Sequence, residues 1–172
     1  MNLDGILDYE ELAKAPGLRA AVAKIKKLTK RPGEFPSESD VTSAKITAEE
    51  IDARIQEWKA RGSGRIGVTC RVTRIGKPLA NADVKFVPED FLGPGLSTGT
   101  GTTDANGITK ISQPSRGKDD SAIGMYAGFY RVEITKGNEI PAKFNKSTVL
   151  GVEVAGDSLS LDGGGPSFDL HY

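Results

Sequence analysis

From residue 66 onward, apolar residues fall on alternate positions in a series of short runs. Ile66, Val68, Cys70 and Val72 alternate with Gly67, Thr69 and Arg71. Ala82, Val84 and Phe86 alternate with Asp83, Lys85 and Val87. Tyr130, Val132 and Ile134 alternate with Arg131, Glu133 and Thr135, and the clearest strand covers residues 129–136. Leu150, Val152 and Val154 form a further run, and Phe168 and Leu170 share the face of a last one. A period of two puts one face of a strand against a core and the other in water. Gly76-Lys77-Pro78 lies between the first two runs and predicts a reversal there. Asp104-Ala105-Asn106-Gly107 predicts a second, folding a strand around residues 101–103 back onto 108–111. Residues 88–101 and 113–128 are long connectors, 140–145 is a crossing loop, and 157–165 turns the chain into the last run. About seven short strands at this spacing predict an antiparallel β-sandwich.

The first 61 residues follow a different period. A short helix through residues 12–15 is expected to end near Pro16-Gly17. A second, over residues 18–28, carries Leu18, Ala21, Val22, Ile25 and Leu28 as an apolar stripe. Lys24, Lys26, Lys27, Lys30 and Arg31 crowd its end, where cations suit the helix dipole and read as a solvated face. Residues 31–42 are loop by composition. Thr47 and Glu50 have capping-box spacing and open a third helix, with Ile51, Ile55 and Trp58 on one face. Arg61-Gly62-Ser63-Gly64 is a flexible joint. The expected organisation is α+β: a helical region at 1–61, a linker at 62–65 and a sandwich at 66–172.

Composition narrows the function classes. Lys plus Arg equals Asp plus Glu at 23 each, so no overall basic charge favours nucleic acid. Hydrophobic residues are 37% with 21 glycines, which predicts cores joined by long loops. A single cysteine, Cys70, excludes an intrachain disulfide, and its place in an alternating run makes it an apolar filler. The single histidine, His171, is penultimate, where a frayed terminus is expected. No run is long enough for a membrane span, and no signal peptide is visible after Met1.

One stretch carries defined chemistry. With Gly5 at a sharp turn, Asn2, Asp4, Ile6, Asp8 and Glu11 fall where a calcium loop places its third, fifth, seventh, ninth and twelfth positions. Calcium takes hard oxygen ligands, one of them a backbone carbonyl, here of Ile6, and a closing bidentate carboxylate, here of Glu11. This stretch resembles an EF-hand loop. The loop's first position would precede Met1, so its aspartate and the entering helix are not in this sequence. That points to a longer parent or to a lost site; a carboxylate-rich helix start is the plainer reading of the same residues. Residues 45–51 resemble the back half of a second loop, with Ile46 at its eighth position and Glu50 at its twelfth. Its glycine position is Ala44 and its third is Val41, so calcium is not expected there. Ile46 is expected to pair with Leu7 in a two-residue ladder.

The run GKPLANADVKFVPE, then TGTTDANG, GFYRVEITK, IPAKFN, LGVEVAGD and FDL resembles the transthyretin-like or carboxypeptidase-regulatory-like sandwiches of many bacterial exported proteins. The resemblance covers residues 66–170 and implies a transthyretin/Ig-like, seven-stranded antiparallel sandwich in an extracytoplasmic protein. Its markers specify turns. The hydroxyisourate hydrolases among such sandwiches need inward histidines and a Tyr-Arg-Gly-Ser end; this chain ends Phe168-Asp169-Leu170-His171-Tyr172. The Lys–Asn isopeptide bond of collagen-adhesin sandwiches needs an asparagine in the last strand, where this chain has Asp169. Nor do the residues supply an imidazole-based nucleophile set or zinc ligands. The expectation is a non-enzymatic structural or interaction module with an unidentified protein or glycan partner and with Ca2+ at the N-terminal loop. The alternative is a metal-free carbohydrate- or peptide-binding module using the connectors at 89–100 and 113–128; the loop aromatics are Phe91 and Tyr126 there and Phe144 in the crossing loop.

Overall fold

The computed structural model describes residues 6–28, 39, 43–62, 64–114, 123–157 and 165–172. In chain order the elements are β1 (Ile6–Leu7), α1 (Tyr9–Leu12), α2 (Pro16–Ile25), β2 (Ile46–Thr47) and α3 (Ala48–Arg61). They continue with β3 (Val68–Arg74), β4 (Lys77–Pro78), β5 (Asp83–Pro88), β6 (Gly99–Thr102) and β7 (Ile108–Ile111). Last come β8 (Gly128–Thr135), β9 (Gly151–Val154) and β10 (Ser167–Leu170), with 3-10 turns at Asp90–Leu92 and Ala142–Phe144. The protein is thus mixed helix and sheet.

Two larger sheets share one core. The first has the order β6-β5-β8-β9, antiparallel throughout. The second is centred on β3, which pairs β7 and β4 antiparallel and β10 parallel. These sheets hold eight strand segments among the described residues, against about seven expected, because Lys77–Pro78 forms a two-residue strand. The β3–β10 pair also departs from the antiparallel expectation: Phe168 lies beside Val72 in a parallel register. The alternation sets the core. Val68, Cys70 and Val72 of one sheet face Val84, Phe86, Tyr130, Val132, Ile134, Val152 and Val154 of the other.

The first reversal comes one residue earlier than the sequence suggested. Ile75 (φ 51°) and Gly76 (φ 72°) form the loop between Arg74 and Lys77, and positive φ at both central residues marks a hairpin turn that follows the strand twist. The second turn is as expected. Asp104 Oδ1 accepts from the N–H groups of Asn106 (2.8 Å) and Ile108 (2.9 Å), and Gly107 has φ 71°.

A second core lies on the outer face of the β6-β5-β8-β9 sheet. Leu12, Leu18, Ala21, Val22, Ile46 and Trp58 pack with Phe129 of β8 and Ala155 beyond β9. Trp58 and Phe129 meet edge to face with ring centroids 4.6 Å apart. Pro16 and Gly17 are the start of α2 rather than the end of a preceding helix. Proline fits the first helical turn, where its missing N–H costs nothing. Glycine is demanded by contact: a Cβ on Gly17 would lie 2.4 Å from the Tyr130 nitrogen, and one on Gly151 would lie 2.0 Å from the Pro16 carbonyl carbon. The helix therefore meets the sheet backbone to backbone.

Candidate functional site: the N-terminal loop and its groove

Leu7 pairs with Ile46 and Ile6 with Thr47 in an antiparallel ladder, the pairing expected for these residues. Each short strand leads straight into a helix. At α1, the Glu11 N–H donates to Asp8 Oδ1 (2.9 Å) and the Asp8 N–H donates to Glu11 Oε2 (3.3 Å). At α3, the Glu50 N–H donates to Thr47 Oγ1 (3.3 Å) and the Thr47 N–H donates to Glu50 Oε2 (3.0 Å). Both are reciprocal caps that satisfy helix-end N–H groups. Lys26 sits 2.8 Å from Glu50, and this ion pair, with the Thr47 N–H, holds the Glu50 carboxyl below the usual range. Lys26 therefore has a specific partner, where the sequence suggested a solvated basic face.

Of the calcium-loop residues, Asn2 and Asp4 lie outside the described residues. Ile6 lies in β1, and Asp8 and Glu11 meet through their reciprocal hydrogen bonds at the start of α1. They offer two carboxylates and a backbone carbonyl, hard oxygen donors of the kind calcium takes, and Asn2 and Asp4 are the other ligand positions of the pattern within this sequence. Among the described residues no group of three or more metal-ligating side chains is clustered.

Beside this loop lies a groove of about 510 Å³. Its apolar wall is Ile6, Leu7, Ala15, Leu18, Ile51 and Phe91. Its charged residues are Glu11, Asp52, Glu89 and Asp90, against Lys14 and Arg131. Phe91 is 49% exposed, with its ring centroid 6.0 Å from that of Phe129. Glu89 is 4% exposed. Its Oε1 accepts the Gly17 N–H at 2.7 Å, at the N-terminus of α2. Burial pushes the Glu89 carboxyl above its usual value, and the Gly17 hydrogen bond offsets only part of that. Arg131 approaches Asp90 (3.5 Å) and Glu133 (3.6 Å).

Between α3 and the sheet, Arg54 is buried in a polar cluster. Its Nε donates to Glu153 Oε1 at 2.6 Å, and its terminal nitrogens donate to Asp157 (2.7 and 3.1 Å) and Glu57 (2.7 Å). The Trp58 indole N–H also donates to Glu153 Oε1, at 3.0 Å. Lys24 and Arg61 each lie 3.2 Å from Asp157. Burial alone would raise the Asp157 carboxyl, but the hydrogen bonds from Arg54 and the nearby Lys24 hold it well below the carboxylate range.

The other candidate side chains have structural surroundings. Cys70 is fully buried, and desolvation pushes its thiol up to about 12, so it is filler as expected. His171 is exposed and pairs with Asp169 at 2.9 Å. Of the loop aromatics, Phe144 is buried against Tyr172 and Tyr126 lies under the Arg65 guanidinium, which leaves Phe91 at the groove. Among the described residues no helix is long and apolar enough to cross a membrane.

Glu89, Arg54, Glu153 and Asp157 are not singled out by sequence. One signal did exist: Phe129 and Tyr130 are adjacent and both apolar, which means that both faces of β8 are covered. No family model, curated protein or solved structure matches this chain.

Proposed function

We propose that this chain is a non-enzymatic, extracytoplasmic structural or interaction module. It is a transthyretin-like sandwich carrying a paired loop–helix unit on one face, and Ca2+ binds the N-terminal loop through Asn2, Asp4, the Ile6 carbonyl, Asp8 and Glu11. The observation that supports this is the Leu7–Ile46 ladder with a closing glutamate at the third position of each following helix. Two loop–helix units meet back to back there, in the register that the calcium-loop alignment requires. Bound calcium would tie the first residues to α1 and stiffen the helical layer on the sheet. The test is calorimetric titration with calcium, with melting followed in parallel. At 100-fold excess over Kd, binding to the folded state alone stabilises it by about 2.7 kcal/mol. Glu11→Gln should abolish the heat and the melting shift. No heat and no shift at millimolar calcium would remove the metal from this reading. The half-exposed Phe91 beside the groove favours a second reading, ligand binding without metal, and a single exposed ring suits a peptide side chain better than a glycan platform.

A further inference from the structure

The groove has a definite chemical character. Its wall is apolar, and its charges are four carboxylates against two cations, one of which, Arg131, faces Asp90 and Glu133 and also attracts Glu89. Glu89 lines it while 4% exposed, so this carboxylate marks the inner end. Among the described residues its side chain accepts the Gly17 N–H at Oε1. An anionic ligand is disfavoured, because the Gly17 N–H at the start of α2 is already taken by Glu89. A buried carboxylate gains most from a cation that brings its own hydrogen-bond donors.

We propose that this groove binds a basic side chain carried on an apolar peptide segment, with the lysine or arginine head at Glu89 and its apolar neighbours on Leu7, Ile51 and Phe91. This deepens the interaction-module reading and rests on it, but it does not depend on calcium. The acidic end selects the charge, and the half-exposed Phe91 ring and the Ile51 side chain cover the aliphatic stem and the flanking residues. Charge and apolar area are both needed: a carboxylate this buried gives up its hydration, and an isolated ammonium ion carries no surface to displace the water along the wall.

The probes are N-acetylated, C-amidated Leu-Arg-Leu, the same tripeptide with citrulline for arginine, and a neutral maltooligosaccharide. They are titrated into the full chain, by calorimetry and by amide chemical shifts, once in chelator and once in millimolar calcium. The arginine peptide should bind and shift the amides of Leu7, Ile51 and Phe91. Citrulline has nearly the same shape without the charge and should bind about tenfold more weakly or worse. Glu89→Gln keeps an acceptor for Gly17 and should bring the two peptides to within about twofold of each other, with no fall in melting temperature. Phe91→Ala, at a half-exposed site, should weaken both peptides alike. Equal affinity of wild type for the two peptides, no binding of either, shifts that map elsewhere, or preferential binding of the sugar would each overturn the proposal. Failure of the calcium titration alone would leave it standing, and failure here alone would leave the calcium loop standing.

Discussion

Replacing Arg54 with methionine tests whether the helices are held on the sheet by a desolvated charge cluster. Arg54 bonds three carboxylates, and they are not equivalent. The Glu57 side chain is 46% exposed and that of Asp157 22% exposed, so water can take over most of what Arg54 gives them. Glu153 is different, with its side chain 4% exposed. In the variant it would keep the Trp58 indole but lose the guanidinium. Removing one partner of a buried pair costs roughly 3–5 kcal/mol, mostly as the penalty on the charge that remains. The indole bond and the apolar methionine stem place the expectation at the low end, about 3 kcal/mol. Trp58 is the only tryptophan and sits in this cluster, so its fluorescence reports the event directly.

In urea, with a slope near 2 kcal/mol per molar, the midpoint should fall by roughly 1.5 M. The decisive variant is the double one, Arg54→Met with Glu153→Gln. Glutamine removes the stranded charge and still accepts from Trp58, so the pair should recover at least half of the loss. The coupling between the two sites should be about 1.5 kcal/mol or more. A loss under about 1 kcal/mol for Arg54→Met would mean that water reaches Glu153. Additive losses in the double variant would mean that the side chains act separately. Either result refutes the reasoning.

Two further expectations concern the same layer. Gly17→Ala and Gly151→Ala each drive a methyl into backbone across the seam between α2 and the sheet, and should cost at least about 1–3 kcal/mol. Because both push the same surfaces apart, the double variant should cost less than the sum in thermal melts; a full sum would mean separate distortions. The pH dependence has two limbs of opposite sign. Asp157 is depressed on folding, so its contribution is present above its ordinary value of 3.8 and is lost as pH falls below that. Glu89 is raised on folding, so stability falls as pH rises from its ordinary value of 4.5 through the folded one. Glu89→Gln should flatten that fall and stabilise the protein at neutral pH. Melting curves from pH 3 to 8 check both limbs, and an unchanged profile in the Gln variant would contradict the second.

What the sequence made legible follows from how local the signal is. Alternation at 68–72, 82–86 and 130–134 sets which side chains face the core between the two larger sheets, because the pleat enforces it wherever one face is buried. The Thr47–Glu50 cap and the Asp104–Gly107 turn are likewise closed by residues within a few positions of each other. The reciprocal Asp8–Glu11 cap at the start of α1 is equally local. What was misread needed a partner distant in sequence. Pro16-Gly17 reads as a stop until Tyr130 and Gly151 are seen against it; then Gly17 is the residue without a Cβ that lets the helix touch the sheet. Glu153 reads as the solvent side of its strand, correctly for a sheet with one wet face. Here the helices cover that face, and a polar position in the alternation becomes a buried acid that accepts from Arg54 and Trp58, roughly a hundred residues earlier. The groove is hidden for the same reason, since its walls come from residues 6–18, 48–52, 89–91 and 131. The two larger sheets could be built by many alternating sequences, but the docked layer holds two glycines at one seam and one arginine among three carboxylates. The groove draws its walls from α1, α2, α3 and the sheet across that seam, so substitutions at Gly17, Gly151 or Arg54 should impair the binding proposed there without touching a ligand.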